Sequence, residues 1–343
     1  MTRPSRRRLG ATLSAALLCA GCVSGGRLPD AVAGSVVPPD DNSVSYPACT
    51  ADEAAANNPL SSFAPLDSLP SPEGPFDDET LQEIFERGTL RVGISADTLL
   101  FGARNLEYVA GNAEGRLAYE GFDIDVVTQV ALAIFGGDQT TIGSHIEFVA
   151  IPYRDRIPKL QSGEVDVVAH TMTINCTRWK QIAFSAEYFR AGQRVLVLKG
   201  SSYDGIDALA AAGASVCVPD GSTNQEALAL YPEVDAVTVV DISDCLVLLQ
   251  QGSVAAITGD DTVLAGLAVQ DPATVVVGEQ FTEEPYGLGI AADRVDFVRF
   301  VNAVLVEMVD DGRWESLYEK WLVPLLAAEA PAAPDQLHDR PLP

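Results

Sequence analysis

The sequence predicts an α/β protein of two lobes that are joined by two crossing strands, with a ligand cleft between the lobes. A chain of 343 residues is too long for a single core, which stops growing well before that length. One pattern also occurs twice, because the helix end, glycine turn and strand of residues 160–168 recur in outline at residues 249–257. If the lobes are built alike, both strand ends point at a common cleft, where α/β sheets place their ligands.

Hydrophobic periodicity and turn residues predict the elements in order. Helices are expected at residues 78–87, between Gly121 and Gly136, from near Thr223, and across residues 295–322. Strands are expected at residues 90–94, 146–150, 165–169 and 215–218. Two further strands, within residues 188–198 and 284–290, are long enough to cross between the lobes. Asp123 and Asp125 are expected to cap the helix that follows Gly121.

The N-terminus has the features of an export signal, since four arginines precede a short apolar run that ends at Cys19-Ala20-Gly21-Cys22. Cys22 is then the lipidated first residue of the mature chain. The protein is therefore expected outside the cytoplasm, anchored to the outer face of the cytoplasmic membrane. A plain secretory signal is the alternative, because Cys19 stands where a leucine is usual. The apolar run is shorter than the roughly 20 residues of a spanning helix.

These features divide the chain into a signal peptide, a tether, two lobes and a tail. Small residues, proline and aspartate dominate the tether and no hydrophobic period is sustained there, which indicates a flexible segment. The Pro- and Ala-rich tail is expected to be disordered. The expected boundaries are residues 1–22 for the signal, 23–76 for the tether, 77–193 with 285–326 for the first lobe, 194–284 for the second lobe, and 327–343 for the tail.

The charge and the residue composition exclude several classes of partner. The formal charge is −26 at pH 7, and it becomes −30 when a signal with four arginines and no acidic residue is removed. Nucleic acid is therefore not expected as a partner, since no basic stripe is present. Neither a metal nor another cofactor is expected, because the four cysteines besides Cys19 and Cys22 form no C-x-x-C motif, and the chain has no phosphate loop and only three scattered histidines.

Four cysteines remain besides Cys19 and Cys22, and in an exported protein an even number indicates disulfides. Four cysteines allow three connectivities. Cys217 and Cys245 both fall in the expected second lobe, so we expect them to pair. Cys49 then pairs with Cys176 by elimination, which would fold the middle of the tether back onto the globular part.

One polar run, which follows the expected strand at residues 165–169, carries the predicted site. It offers hydroxyls, an amide and backbone N–H groups up to Arg178, which falls in the first turn of an expected helix. A planar guanidinium grips both oxygens of a carboxylate, so Thr173 N–H and Arg178 are expected to bind an amino-acid α-carboxylate. The alternative is that Arg178 pairs on the surface with Glu187 or Asp166.

The residues from Gly163 to Tyr188, with the spacing G-x-V-D-x-x-x-x-T-x-T-I-x-x-x-R-x-x-x-x-x-F-S-x-x-Y, resemble the polar amino-acid-binding proteins of bacterial ABC importers. This is the family of the glutamine-, glutamate- and histidine-binding proteins. The Asn-Cys-x-Arg version is similar to actinobacterial lipoproteins linked to glutamine and glutamate. The G-F-D-x-D that opens at Gly121 is a second point of resemblance. The family implies a periplasmic-binding-protein-like fold and a binding rather than an enzymatic role.

The resemblance also implies which acids bind the α-ammonium group. Asp97, just beyond the first strand, is one of them, although an Asp there can also simply cap a turn. The second acid, beyond the repeated strand, is assigned to Asp261, with Asp260 as the fallback.

The remaining contacts are implied at four positions. Thr223 aligns with a second contact to the α-carboxylate, and it would equally serve as a routine helix start. Tyr153 takes the place of an aromatic that stacks on the ligand, with ordinary packing as its alternative, and Phe101 is expected beside it. Thr171, where the family more often has glycine, flanks the site.

The sequence as a whole indicates a lipid-anchored monomer that binds a polar amino acid and delivers it to an ABC permease. Nearby cations favour a carboxylate or amide side chain, so glutamate, glutamine, aspartate and asparagine are the expected ligands. The residues considered for this selectivity are Arg104, Arg154, Arg156 and His170. One alternative is an amino-acid sensor that presents its ligand to a membrane signalling protein. A remote alternative is an enzyme on the same scaffold, with Glu283 or Glu284 as its acid.

Overall fold

The computed structural model describes residues 49–50, 53, 58–72, 74–108, 117–326 and 330–343, which belong to one compact unit. The expected signal peptide and Cys22 lie outside the described residues. Across these ranges, no helix is both long enough and apolar enough to cross a membrane.

Two mixed five-stranded sheets, each packed between helices, form two α/β lobes, which confirms the predicted fold class. The first sheet contains β1 (Leu90–Ile94), β5 (Ile146–Ala150), β6 (Val167–Ala169), β7 (Ile182–Phe184) and β15 (Gly289–Ala291). The second sheet contains β9 (Gln193–Leu198), β10 (Ser215–Pro219), β11 (Asp235–Val239), β12 (Ala256–Asp260) and β13 (Thr274–Val277). The small strands β2 (Asp97–Thr98), β3 (Gly102–Arg104) and β4 (Tyr119–Glu120) form a separate three-stranded sheet.

The helices fall into two sets that follow the two sheets. With the first sheet are α1 (Glu79–Arg87), α2 (Phe122–Phe135), α3 (Arg156–Gln161), α4 (Cys176–Trp179), α9 (Val295–Asp310), α10 (Arg313–Trp321) and α11 (Val323–Leu326). With the second sheet are α5 (Ile206–Ala212), α6 (Thr223–Leu228), α7 (Ile242–Gln250) and α8 (Asp261–Gln270).

The repeat in the sequence corresponds to a repeat in topology. In the first sheet β1 lies between the parallel strands β5 and β6, and in the second β10 lies between the parallel strands β11 and β12. The two copies of the repeated pattern end in β6 and β12, which occupy the same place in their sheets. Each is bordered on its other side by an antiparallel strand, β15 or β9. The carboxyl ends of β6 and β12 are therefore equivalent positions, where such sheets bind ligands.

Two crossing strands connect the lobes, as predicted. β8 (Phe189–Ala191) and β14 (Glu284–Tyr286) pair antiparallel with each other and belong to neither large sheet. β8 leads through Gly192 into β9, and β14 leads into β15. The single strand expected over residues 188–198 is therefore divided at Gly192.

The G-F-D motif before α2 has a different role from the one expected. Gly121 has φ 138°, and a Cβ there would lie 2.2 Å from Phe101 O, so glycine is required. The N-cap of α2 is Gly121 and has no side-chain hydrogen bond, which contradicts the expected capping by Asp123 and Asp125. Asp125 instead accepts from Trp321 Nε1 at 2.7 Å, whereas Asp123 is fully buried within the lobe.

Parts of the expected tether and tail pack on the first lobe, contrary to the prediction of flexible ends. Ser62 Oγ donates to Phe184 O at 2.7 Å, and Asn302 Nδ2 donates to Phe63 O at the same distance. In the tail, Arg340 forms a parallel bridge with Phe63. The composition of these segments predicted flexibility. Short extended segments can nevertheless be held by hydrogen bonds to their backbone, which require no hydrophobic periodicity.

Both expected disulfides are present. Cys217 of β10 is bonded to Cys245 of α7 inside the second lobe. Cys49 is bonded to Cys176, the first residue of α4. The elimination argument therefore identified the correct pairing of the three possible.

Candidate functional site

The lobes contact each other where the carboxyl ends of their parallel strands meet. Thr173 Oγ1 of the first lobe lies 3.2 Å from Thr223 Oγ1 of the second. Ser243 N–H, in the first turn of α7, donates to Asp97 Oδ2 at 3.0 Å, so Asp97 caps a helix of the opposite lobe. The predicted site residues Thr173, Thr223 and Asp97 therefore do meet at the boundary between the lobes.

Arg178 lies buried beside this boundary. Asn175 Oδ1 accepts Arg178 N–H at 2.8 Å and so caps α4, and Arg178 Nη1 donates to Thr173 O at 2.7 Å. Burial lowers the pKa of the guanidinium, and nearby carboxylates, Glu226 foremost, act against that shift. No carboxylate of the described residues forms an ion pair with it. A guanidinium has five N–H donors, so Arg178 retains donors for a ligand.

The alternative of surface pairing for Arg178 does not hold. Asp166 forms its ion pairs with Arg87 and Arg91. Glu187 is paired with Arg190 at 2.6 Å. Both acids that were considered as partners of Arg178 are therefore occupied elsewhere.

Arg156 is a second buried guanidinium at the same boundary. Its N–H groups donate to the carbonyl oxygens of Tyr153 at 2.9 Å, His170 at 3.1 Å and, across the cleft, Gly221 at 3.3 Å. The guanidinium lies over the Tyr153 ring, 4.8 Å from its centroid. Burial, followed by the charge of Arg178, lowers the pKa of Arg156 to about 9. Its hydrogen-bond partners in the described chain are uncharged, so its positive charge is not neutralised by an ion pair.

Two unpartnered polar atoms of the described chain lie at the boundary between the lobes. They belong to His170 and Thr171, which lie between the two arginines in the sequence. His170 Nε2 lies 3.0 Å from Ile151 O, and burial together with Arg156 lowers the His170 pKa to about 3, so the ring is neutral. His170 Nδ1 and Thr171 Oγ1 are buried without a hydrogen-bond partner among the described residues. Thr171 has φ 42°, and its N–H donates to Asp123 Oδ2 at 2.7 Å.

The turn at Thr171 is held by a buried carboxylate. The left-handed backbone of Thr171 is strained for a residue with a Cβ. Asp123 holds that turn, and Tyr188 OH donates to its other oxygen at 2.6 Å. Burial raises the pKa of Asp123 to about 6.

The two threonine hydroxyls share one acceptor, the buried carboxylate of Glu284. Thr173 Oγ1 and Thr223 Oγ1 donate to Glu284 Oε2 at 2.6 Å and 2.8 Å. Thr282 Oγ1 donates to the other oxygen at 2.6 Å. Glu284 belongs to the crossing strand β14, so it is bonded to a residue of each lobe from the hinge between them.

Asp260 is the buried acid that the second lobe contributes. It ends β12 and accepts hydrogen bonds from Asn224 Nδ2 at 2.7 Å and from Tyr286 OH. Burial, followed by the charge of Glu284, raises the pKa of Asp260 above its ordinary value. The charge of Asp260 also acts on Arg178 and Arg156, so the three groups belong to one electrostatic environment.

The expected acid Asp261 is not placed in the cleft. Asp261 starts α8, accepts the N–H of Thr262 at 2.8 Å, and accepts from Gln280 Nε2 at 2.7 Å. Its carboxylate also accepts the N–H of Gly192, the residue before β9, at 3.4 Å. Consecutive residues at a strand end face opposite directions, so the fallback Asp260 is the acid that is buried here.

The position of Phe101 contradicts the prediction that its ring stacks on the ligand. It is fully buried, and its ring contacts Phe122, Phe189 and Tyr286 at centroid distances between 5.1 and 5.8 Å. The hairpin of β2 and β3 turns the chain back after the first strand and directs Phe101 into the core. Tyr153, by contrast, is at the boundary and meets the ring of His170 edge to face at 4.6 Å.

Two of the four arginines and histidines considered for side-chain selectivity lie away from the buried groups. Arg104 is exposed on β3. Arg154 is exposed at the rim, where it pairs with Asp220 of the other lobe at 3.3 Å. Arg156 and His170 remain as buried candidates.

Sequence reasoning missed two residues of this centre as binding residues. Glu284 was considered only as the acid of an enzyme, whereas its carboxylate accepts hydrogen bonds from three hydroxyls. Asn224 follows Thr223 and orients Asp260. The sequence did contain a signal for Glu284. A charged residue at the start of an apolar crossing strand is buried, so its charge requires hydrogen-bond partners. The described residues hold no group of three or more potential metal ligands.

The two-lobed fold, with its charged groups buried at the boundary between the lobes, defines a solute-binding protein. The chain matches the family model described as bacterial extracellular solute-binding proteins, family 3, over residues 101–324. The chain belongs to this family.

Individual relatives agree with the assignment. The glutamine-binding protein GlnH of an ABC transporter of Bacillus subtilis is 32% identical over 244 residues, which cover 71% of this chain and 85% of the relative. The glutamate-binding protein GluB of Corynebacterium glutamicum is 32% identical over 244 residues, or 68% of this chain and 78% of the relative. A solved ancestral arginine-binding protein bound to glutamine is 33% identical with a TM-score of 0.60, covering 69% of this chain and 98% of that structure.

Proposed function

We propose that this protein is a lipid-anchored receptor outside the cytoplasm that binds an amino acid with an acidic or amide side chain and delivers it to an ABC permease. The ligands proposed are glutamate, glutamine, aspartate and asparagine. The relatives support this proposal, because several are named as glutamine- or glutamate-binding proteins of transporters.

The observation that carries the proposal is a pair of buried guanidiniums without carboxylate partners among the described residues, opposite a buried acid. Arg178 and Arg156 belong to the first lobe and Asp260 ends a strand of the second. Buried charges are stable only when they are paired, so a ligand that supplies the missing anions fits here. An amino acid supplies an α-carboxylate for Arg178 and an α-ammonium for Asp260.

Arg156 accounts for the proposed side chain of the ligand. It is the second cation, and it donates to His170 O at 3.1 Å, beside the unpartnered His170 Nδ1 and Thr171 Oγ1 of the described chain. A carboxylate or amide on the ligand provides oxygen acceptors for the guanidinium, whereas a basic side chain would bring a like charge to it.

The test is a thermal-shift screen of the purified protein against the twenty amino acids, because a ligand that binds only the folded state raises the melting temperature. We expect the largest shifts from the four proposed ligands. The best ligand is then titrated by calorimetry into Arg178→Ala, with Arg294→Ala as the matched control, since Arg294 pairs with Glu83 at the surface. We expect at least about a tenfold loss of affinity for Arg178→Ala, since a charge-assisted bidentate contact contributes more than about 1.4 kcal/mol.

Three results would contradict the proposal. One is a screen in which no amino acid raises the melting temperature. Another is a screen led by lysine or arginine, which would reverse the assigned role of Arg156. The third is recovery of the best ligand chemically altered after incubation, which would indicate an enzyme.

A further inference from the structure

Two segments near the ends of the described chain pack against each other. Ser62 N–H donates to Leu337 O at 2.9 Å, and Arg340 N–H donates to Ser62 O at 3.0 Å. Arg340 Nε donates to Ser61 O at 2.7 Å, and Ser61 Oγ is bonded to Asp339. We name this unit the terminal clasp, and it consists of residues 58–63 and 336–340 together with Cys49 and Glu53.

The terminal clasp holds α4, the four-residue helix that carries Arg178. Cys49 is bonded to Cys176 at the start of the helix. At its end, Trp179 Nε1 donates to Pro59 O at 2.8 Å, and the Arg340 guanidinium lies 3.6 Å from the centre of the Trp179 ring.

Two further contacts complete the attachment. Phe63 meets the Trp179 ring edge to face at 6.0 Å. Just after the helix, Lys180 pairs with Glu53 at 3.2 Å. Both ends of the helix are therefore held from the outside by the clasp, whereas Arg178 points inward.

A helix of four residues has no stability of its own, because nucleating a helix is unfavourable and one turn returns few hydrogen bonds. The direction of Arg178 therefore depends on what α4 packs against. On the inner side it has the Asn175 cap, the Arg178 hydrogen bond to Thr173 O, and an edge-to-face contact between Trp179 and Phe184 of β7 at 5.6 Å. The covalent bond, the indole hydrogen bond and the cation–π contact all come from the clasp.

The clasp also lies outside the part of the chain that matches the family. That match covers residues 101–324, whereas the clasp consists of Cys49, Glu53 and residues 58–63 and 336–340. The ligand-binding helix is thus held by segments on both flanks of the family domain.

We propose that the terminal clasp positions Arg178 for ligand binding, so that the segments flanking the family domain determine ligand affinity without touching the ligand. This inference rests on the proposed role of Arg178 in binding the α-carboxylate. The residues of the terminal clasp act through α4 and are positioning residues.

The main experiment measures affinity by calorimetry for the best ligand of the thermal-shift screen, using the full chain. The clasp variant is Cys49→Ser with Cys176→Ser, and its matched control is Cys217→Ser with Cys245→Ser, which removes the other disulfide from the second lobe. We expect the clasp variant to lose about tenfold in affinity, in the range that orienting partners of a binding group contribute. We expect less than a twofold change for the control, whatever happens to its melting temperature.

A double-mutant cycle separates positioning from a general loss of stability. The clasp substitutions are repeated in an Arg178→Lys background, where the fork geometry is already lost. If the clasp acts through Arg178, its substitutions change affinity there by less than about threefold, because the two effects are coupled. An equal loss in both backgrounds would overturn the proposal, as would a clasp variant with unchanged affinity.

A second variant keeps the test decisive if the serine variant does not fold. Arg340→Gln removes the cation over Trp179 and leaves both disulfides intact, and we expect at least about a threefold loss in affinity that is absent in the Arg178→Lys background. Unchanged affinity in Arg340→Gln would overturn the proposal in that case. If Arg178→Lys alone binds like the original protein, the proposed function is wrong at this residue. If Arg178→Lys binds weakly and the clasp substitutions lower its affinity by the same factor as in the original protein, only the clasp proposal fails.

Discussion

Arg156 and Arg178 are cations that folding removes from water without giving either one a carboxylate partner among the described residues. Such groups are costly unless something else supplies the opposite charge, and in a binding protein that can be the ligand. The acid on the other side, Asp260, is in the complementary situation, because burial favours its protonated form until a cation arrives. The charges of the three residues are complementary to those of a zwitterion.

The raised pKa of Asp260 leads to a prediction about pH. The ligand ammonium pairs with the ionised carboxyl, so affinity is highest above the raised pKa and falls as the pH is lowered through it, by up to about tenfold per unit. The folding stability of the ligand-free protein changes in the opposite sense, because its native state binds the proton more tightly than the unfolded chain. Calorimetry between pH 8 and pH 5 checks the first effect.

Variants of the two adjacent acids supply the controls for this pH dependence. Asp260→Asn is expected to bind weakly with an affinity that changes little with pH. Asp261→Asn is expected to keep both the affinity and the pH profile of the original protein, since its side chain is bonded to Gln280. If instead Asp261→Asn abolishes the pH dependence, the assignment of the cleft acid to Asp260 is wrong.

At the scale of elements, the repeated helix, turn and strand explains why the binding residues occur where they do. β6 and β12 are equivalent strands, and the chain becomes polar directly after each of them. The first is followed by the loop to Arg178, and the second ends in Asp260. In the proposed binding mode, the opposite charges of one ligand are bound by equivalent positions in two similar lobes.

The Cys217–Cys245 disulfide belongs to this scale, because it joins β10 to α7. It links residues that are 28 apart in sequence and so restricts the unfolded chain. Replacing both cysteines by serine is expected to lower the free energy of unfolding by about 3–4 kcal/mol on the chain-entropy estimate. Denaturant unfolding monitored by circular dichroism measures this loss. An unchanged midpoint would show that the bond adds nothing to stability.

At the scale of the whole molecule, the two lobes are held together through buried polar groups at the hinge. Glu284 accepts one hydroxyl from each lobe, and Asp97 of the first lobe caps a helix of the second. Hydrogen bonds to a charged group contribute about 1.5–3 kcal/mol each, so Glu284 is a large part of what favours contact between the lobes.

Glu284→Ala is therefore expected to separate the lobes in the ligand-free protein and to weaken ligand binding by about tenfold or more, because closure would have to be driven by the ligand alone. Small-angle X-ray scattering measures the separation as a larger radius of gyration, which saturating ligand should reverse. Glu283→Ala is the matched control, since Glu283 is exposed and only contacts Arg190 at the surface. Equal radii for all three proteins would contradict this role of Glu284.

The sequence by itself determined the two-lobed fold, the crossing strands and both disulfides, and it predicted that Thr173, Thr223 and Arg178 lie near one another at the cleft. These follow from local patterns, such as periodicity, turn residues, the repeat and the spacing of a motif, that the tertiary structure does not override. Tertiary structure alone decided that Asp260 rather than Asp261 enters the cleft, that Phe101 is core, and that Glu284 joins the lobes. It also decided that the ends of the chain clasp α4. The reason is physical: the direction of a side chain at a strand end, and the partner of an extended segment, depend on groups distant in sequence that only the folded chain brings into contact.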